Sequence, residues 1–164
     1  MNEAQGKTHR INGELHQVTP VRDEDGKLVT HHVKRLQLEL SLKDRVQILV
    51  GASILAIPTA FTEEVWNMGS DLSWWSVIIL AVVSLVFIAL FIYLNSYQNH
   101  LELHWGQFLN RLTSTYVFSL IVVGVLLMVV GKAPWLSETS LALKRTIIGA
   151  LPASMSATVT DAIT

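Results

Sequence analysis

The fold class is decided by the stretch WWSVIILAVVSLVFIALFIYL, residues 74–94. It contains no charged residue, and its length matches the ~20 residues that an α-helix needs to cross ~30 Å of hydrocarbon. Two more apolar runs of this length flank it, at residues 46–66 and 112–131. The chain is therefore predicted to be an all-α polytopic membrane protein.

A fourth segment, residues 146–164, is long enough to span but is interrupted by hydroxyl groups, a proline and an aspartate. We expect it to complete a four-helix transmembrane bundle over residues 46–164, sheltered from lipid by the other three spans. The alternative is a re-entrant segment, because irregular backbone is tolerated at membrane depth only where protein or water covers it.

The composition excludes several classes of function. Of the 164 residues, 51% are hydrophobic and 15% are charged, and the mean hydropathy is +0.43; soluble domains average about 25% charged residues. The net charge of -1 provides no excess of cations for a phosphate backbone, so no nucleic-acid partner is expected. Without cysteines, disulfides, thiolate metal sites and thiol nucleophiles are absent. We expect no metal and no cofactor.

Residues 1–45 form a polar arm that carries eight of the twelve Lys and Arg residues and seven of the thirteen acids. Residues 17–21 and 28–33 favour β-strands and flank Asp25-Gly26, a strong hairpin dipeptide. Residues 36–42 alternate with period two, as a third strand would. We expect a β-hairpin in this arm, and the alternative is a flexible solvated tail.

The distribution of bases predicts the orientation. With four spans and both termini in the cytoplasm, the inner segments hold nine Lys and Arg residues and the outer loops hold three, as the positive-inside rule requires. Lys144 and Arg145 fit this orientation poorly, because they precede the fourth span on the outer side. We predict a prokaryotic cytoplasmic membrane protein with both termini inside.

Small residues recur at intervals of four in the first and fourth spans. The rows are Ala52, Ala56 and Ala60 in the first span, and Gly149, Ala153 and Ala157 in the fourth. Such rows place small side chains on one face of a helix, where they allow close helix association in lipid. Pro58 and Pro152 lie within the same segments and are predicted helix breaks.

Each row ends in a carboxylate, Glu64 in the first span and Asp161 in the fourth. Carboxylates are costly inside a membrane and often mark ion or proton routes. Glu63 is adjacent to Glu64, and Ser154 and Thr158 share a helical face with Asp161. These five residues are the predicted ion pathway. The structural alternative is that the small faces serve packing and the hydroxyls bond back to their own helix.

The histidines invite an enzyme hypothesis. Glu63-Glu64 followed by His100 and His104 resembles intramembrane metalloproteases of the CAAX-processing type, but the arginine that follows their glutamate pair is missing here. The second span would also hold the two motifs about 30 Å apart. We expect no enzyme activity, and we place His100, His104 and Arg111 on the solvated face of an interfacial helix.

Two stretches, GASILAIPTAFTEEVW at residues 51–66 and LPASMSATVTD at residues 151–161, resemble a family of small bacterial and archaeal integral membrane proteins of unknown function. The resemblance covers residues 43–164 and leaves the arm outside. It implies a polytopic inner-membrane protein and assigns no functional residue.

The leading functional hypothesis is a homo-oligomeric channel or small transporter for monovalent or divalent cations. The oligomer is expected because four short spans with one polar helix leave little room for a route within one copy. The alternative is a non-conducting structural or regulatory protein whose arm binds a soluble partner.

Overall fold

In a computed structural model of the protein, the described residues are 7–11, 14–22, 28–35, 41–97 and 101–163. The chain divides into two compact units, Met1–Glu39 and Leu40–Thr164.

The first unit is a three-stranded antiparallel sheet in the order β1-β2-β3. Strand β1 is Lys7–Ile11, β2 is Glu14–Arg22 and β3 is Leu28–Arg35. The predicted hairpin is confirmed as the β2–β3 pair, in which Val18 lies opposite Val33. Its Asp25-Gly26 turn lies outside the described residues.

The position of the third strand differs from the prediction. Strand β1 pairs with the other side of β2, with His9 opposite His16. Its sequence, KTHRI, lacks the apolar alternation that marks a strand, so pattern analysis missed it. Residues 36–40 of the predicted strand lie outside the described residues, and Leu42 is helical.

The second unit consists of five helices and a π-helical turn. The helices are α1 Leu42–Ala60, α2 Glu63–Asp71, α3 Trp74–Ile92, α4 Leu101–Val129 and α5 Thr139–Ala162, and the π-helical turn is Tyr93–Tyr97. Helix α1 begins with a reciprocal capping box, in which the Ser41 hydroxyl accepts from the Asp44 amide and the Asp44 carboxylate accepts from the Ser41 amide. Helix α4 ends before Gly131, whose φ of 72° favours glycine.

The first predicted span, residues 46–66, is not a single helix. Helices α1 and α2 meet at an angle of 81° on either side of Phe61 and Thr62. Pro58 has no amide hydrogen to donate, and the Phe61 amide and the Thr62 hydroxyl both donate to the Pro58 carbonyl, which tightens the last turn of α1. Pro152 behaves differently, since α5 runs through it without interruption.

The other segments also differ in their bounds. Helix α3 closely matches the prediction, whereas α4 begins before residue 112 and includes the segment predicted to be interfacial. The α4 backbone is non-helical at His104, with φ -130° and ψ 29°. Helix α5 begins seven residues before the predicted start and forms one helix of 24 residues, without the break expected of a re-entrant segment.

Among the described residues, two helical segments are long and apolar enough to cross a membrane, Trp74–Asn95 and His104–Val129. The bent pair of α1 and α2 gives a third if it counts as one span. The predicted bundle of four spans is therefore confirmed only in part. Helix α5 does not qualify because its buried face is made of small and hydroxyl-bearing residues.

Helix α5 lies at the centre of the second unit, in contact with α1, α2, α3 and α4. The core surrounds this helix. One apolar cluster joins α1, α4 and α5 through Ala56, Val123 and Ala153, and a second joins α1 to α5 through Ile48 and Ala157. The polar side chains of α5 are therefore buried mainly against other helices of the protein.

Candidate functional site

The two rows of small residues lie in the contact between α1 and α5. Ala52, Ala56, Ala60, Gly149, Ala153 and Ala157 are all buried. The approach is closest at Gly51, where an added Cβ would lie 2.7 Å from Thr160 Cβ and 2.9 Å from Ala157 Cα. Removing side-chain bulk from this face lets the two backbones approach, as in other membrane helix pairs.

The hydroxyls of α5 bond mostly within their own helix. Thr158 donates to the Ser154 carbonyl at 2.6 Å, and Ser154 bonds to the Leu151 carbonyl at 3.0 Å. The Ser154 hydroxyl also lies 2.8 Å from the Ser84 hydroxyl of α3, which links the two helices. Both Ser154 and Thr158 are buried. These hydroxyls already have protein partners, as expected under the alternative in which the hydroxyls bond back to their own helix.

Arg111 and Asp161 form a buried ion pair in the second half of the chain. Arg111 Nε lies 2.8 Å and its Nη2 2.6 Å from Asp161 Oδ2. The two side chains are 2% and 4% exposed, respectively. The pair links α4 to the last turn of α5, so the carboxylate predicted to line an ion route is neutralised within its own copy.

The ion pair sits in a larger polar cluster. Tyr97, which ends the π-helical turn, is fully buried next to Arg111, and burial raises the pKa of its phenol to about 12 against the opposing charge of Arg111. Tyr97 also packs edge-on against Phe108, with ring centroids 5.4 Å apart. From α1, the buried carboxylate of Asp44 is close enough to repel that of Asp161.

The two oxygens of the Asp161 carboxylate differ in their contacts. Oδ2 accepts both bonds from Arg111, whereas the buried Oδ1 accepts no hydrogen bond from the residues that the structure describes. Asp161 also lines a small cavity together with Asn95 and Thr158. The cavity provides about 10 Å³ of space for the centre of a water molecule, roughly the minimum that one water requires. This oxygen can therefore accept a proton or a hydrogen bond.

Glu63 and Glu64 are not part of this cluster. Both are exposed in the first turn of α2. Asp44, in the first turn of α1, is the residue near Asp161, and the 19 residues of α1 then extend about 28 Å before α2 begins. The structure thus brings Ser154, Thr158 and Asp161 together and places the two glutamates near the far end of α1.

Bases from α5 and from the loop before it hold helix α2. Arg145 donates from Nε to the Trp66 carbonyl at 3.0 Å and from Nη1 to the Lys132 carbonyl at 2.7 Å. Lys144 donates to the Leu72 carbonyl at 2.7 Å, just beyond the end of α2. The Lys132 ammonium lies 4.1 Å from the centre of the Trp66 ring. Lys144 thus lies at the carbonyl end of α2, where a cation is favourable, and both Lys144 and Arg145 have protein partners.

No group of three or more His, Cys, Asp or Glu side chains within the described residues could hold a metal ion. His104 lies at the irregular turn of α4. His100 lies outside the part of the chain that the structure describes.

Sequence reasoning missed the role of Arg111, which it placed on a solvated helical face. A signal was present, since an arginine and an aspartate were both predicted near the cytoplasmic ends of spans, where unpaired charges are costly. The pairing itself is a tertiary contact across 50 residues. Nothing in the sequence indicated that Tyr97 would be part of this cluster.

A family model described as "Putative integral membrane protein (DUF2391)" matches residues 11–162. No curated protein and no solved structure matches the chain. The match begins at Ile11, the last residue of β1, so it includes β2 and β3, in contrast to the resemblance over residues 43–164 that left the arm outside.

Proposed function

For this chain, which belongs to the DUF2391 family of putative integral membrane proteins, we propose that it transports a small cation across the membrane and that this cation is a proton. Asp161 carries the proton in each copy, and Arg111 is its counter-charge. The proposal is for a transport protein and not an enzyme.

One observation carries the proposal: Asp161 lines a small cavity, and its buried Oδ1 accepts no hydrogen bond from any residue that the structure describes. A buried polar atom without a partner is rare and costly in a folded protein. Asp161 Oδ1 is therefore available to take up a proton, and a carboxylate that gains a proton becomes a donor at that oxygen.

The surroundings favour a proton over a metal ion. The cavity has space for about one water molecule, which is too little for a hydrated metal ion. A proton needs no such space, and it neutralises Asp161 and thereby weakens the bond that ties α4 to α5.

The remaining predicted pathway residues have smaller parts in this proposal. Thr158 lines the cavity beside Asp161, and Ser154 holds α5 to α3. Glu63 and Glu64 would raise the local concentration of cations at the far end of α1, where both are exposed. Assembly of several copies would complete the route, as the sequence hypothesis requires.

The test is proton flux into liposomes that contain the purified protein and a trapped pH-sensitive dye. A potassium gradient and valinomycin provide the driving potential. We expect the wild type to acidify the lumen faster than empty vesicles, and Asp161→Asn to reduce the rate to that of empty vesicles. The matched control is Asp71→Asn, the same change at an exposed carboxylate of α2, which should conduct like the wild type.

A second variant controls for loss of flux that is caused by misfolding. Asp161→Asn leaves the Arg111 charge unpaired, so the double variant Arg111→Gln/Asp161→Asn should fold but conduct no protons. Equal rates for wild type, Asp161→Asn and empty vesicles would contradict the proposal. A double variant that conducts like the wild type would also contradict it.

The competing function is a non-conducting anchor whose arm binds a soluble partner. It is favoured by Val29 and Val33, two exposed apolar side chains that share one face of β3. Exposed apolar patches often mark protein interfaces. Absence of flux, together with retention of a soluble partner by residues 1–40, would support the anchor.

A further inference from the structure

Asp44 lies on the face of α1 that packs against α5. Asp44, Ile48 and Ala52 are buried and recur at intervals of four, so they share one helical face. Ile48 and Ala52 form an apolar cluster with Ala157 of α5. The two helices run in opposite directions, since the other cluster joins a later part of α1 to an earlier part of α5. Asp161, one turn beyond Ala157, therefore lies at the same end of this contact as Asp44.

The charged form of Asp44 has favourable surroundings in its own helix. Its carboxylate accepts from the Ser41 amide at 2.9 Å in the first turn of α1, and the positive end of the helix dipole favours an anion there. Lys43 and Arg45 flank Asp44 in the chain, but both are exposed, where water and salt screen their charges.

Asp161 has the opposite setting. It lies in the last turn of α5, at the negative end of the helix dipole, and its Oδ1 accepts no hydrogen bond from the residues that the structure describes. Among those residues, Arg111 of α4 and Asp44 of α1 are the charged groups beside it. The π-helical turn contributes the amide of Asn95 and the phenol of Tyr97, which is uncharged because burial raises the pKa of the phenol to about 12. Helix α3 lines the cavity with apolar side chains, and α2 is bonded to the other end of α5.

The buried groups at this end carry one more negative charge than positive charge. Two carboxylates, Asp44 and Asp161, share it with the guanidinium of Arg111, and the three side chains are 5%, 4% and 2% exposed, respectively. A net charge is costly to bury. One proton on Asp161 makes the sum of the three charges zero. When two nearby carboxylates have different environments, one can take the proton while the other keeps its charge.

We propose that Asp44 is the residue that makes this site take up one proton. Its charge sets the pH at which Asp161 is loaded, and Asp44 itself does not carry the proton. This role rests on the proposed function, in which Asp161 is the proton carrier, and Asp44 acts through Asp161. Without Asp44, the ion pair of Arg111 and Asp161 is neutral by itself and has no excess charge for a proton to cancel.

The test is an infrared titration of the full chain in lipid membranes. A protonated carboxyl group absorbs at a different frequency from a carboxylate, and the band of Asp161 is the one that Asp161→Asn removes. We expect Asp44→Asn to move the midpoint of this band to lower pH by about one unit or more, since a nearby like charge no longer opposes ionisation. Asparagine retains an oxygen that can accept from the Ser41 amide, so the helix cap is kept.

Three further variants separate the charge of Asp44 from its part in the helix cap. Asp71→Asn makes the same change at an exposed carboxylate of α2 and should leave the midpoint unchanged. Asp44→Glu keeps the charge and should titrate near the wild type. Ser41→Ala removes the hydroxyl that accepts from the Asp44 amide but leaves the carboxylate, so it should lower the unfolding temperature without moving the midpoint.

The outcomes distinguish the role of Asp44 from proton transport. Equal midpoints for the wild type and Asp44→Asn would overturn the role of Asp44 and leave transport by Asp161 standing. A shifted midpoint in a protein that shows no proton flux would support the role of Asp44 and contradict transport. Absence of an Asp161 band at every pH would overturn both.

Discussion

Arg111 and Asp161 show how a charged pair can be accommodated in an apolar bundle. Each charge offsets the other's cost of leaving water, and the short bonds of 2.6 and 2.8 Å give that offset good geometry. Removal of one partner leaves an unpaired buried charge, whereas removal of both leaves only a packing change. The stability of the pair is therefore strongly non-additive.

This argument predicts the outcome of a double-mutant cycle. Arg111→Leu and Asp161→Leu should each destabilise the protein by about 3–5 kcal/mol, and the double variant by much less than either. Thermal unfolding in mild detergent measures the effect, and Asp71→Leu at an exposed site serves as the control. Additive losses in the double variant would show that the pair does not act as a unit.

The sequence indicated which single residues are structurally unusual, but it did not indicate which residues they contact. The cost of a carboxylate in a membrane correctly singled out Asp161 as a buried residue. It did not predict the partner, because helical periodicity places Arg111 on a face without showing what that face meets. Glu64 carried the same signal, but the chain bends before it and leaves it exposed.

At the scale of the element, α1 and α5 are defined by how closely they approach. The repeat of small residues every four positions predicted which faces are buried, because that spacing follows from helix geometry alone. The end of α1 was harder to predict, since Pro58 lies within the helix and the break comes at Phe61 and Thr62. The start of α5 was missed because Lys144 and Arg145 suggested a loop.

Gly51 provides the test of this close approach. Gly51→Ala should destabilise the protein by about 1–3 kcal/mol, because its Cβ would overlap Thr160 and the Ala157 backbone. The matched control is Gly106→Ala in α4, where an added Cβ meets nothing within 4 Å. That change should be neutral or stabilising by up to about 1 kcal/mol, as glycine is a poor helix former. Equal unfolding temperatures for the two variants would contradict the tight contact.

At the scale of the whole molecule, the chain combines a small sheet with a helical unit that is centred on α5. The family model matches residues 11–162 and so covers parts of both units. The hydrophobic runs were enough to predict a polytopic membrane protein. They did not predict that α5 is the central helix. A helix that is buried by protein can contain small and polar residues, whereas a helix that faces lipid must be apolar, so hydrophobicity alone does not identify the buried one.

Orientation can be tested directly because the chain has no cysteine. We expect a membrane-impermeant maleimide to label Ser137→Cys in intact cells, and to label Leu42→Cys and Ile163→Cys only after permeabilisation. All three positions are exposed, and the expectation follows from the excess of bases in the arm. Labelling of Leu42→Cys, but not Ser137→Cys, in intact cells would show the opposite orientation.

The central position of α5 has a consequence for biogenesis. Helix α5 leaves the ribosome after the four helices against which it packs, and it supplies Asp161 for Arg111 and Arg145 for the Trp66 carbonyl of α2. Until it arrives, Arg111 lacks its Asp161 partner and α2 lacks the bonds from Lys144 and Arg145. We therefore expect the helices to complete their packing only after α5 has been synthesised.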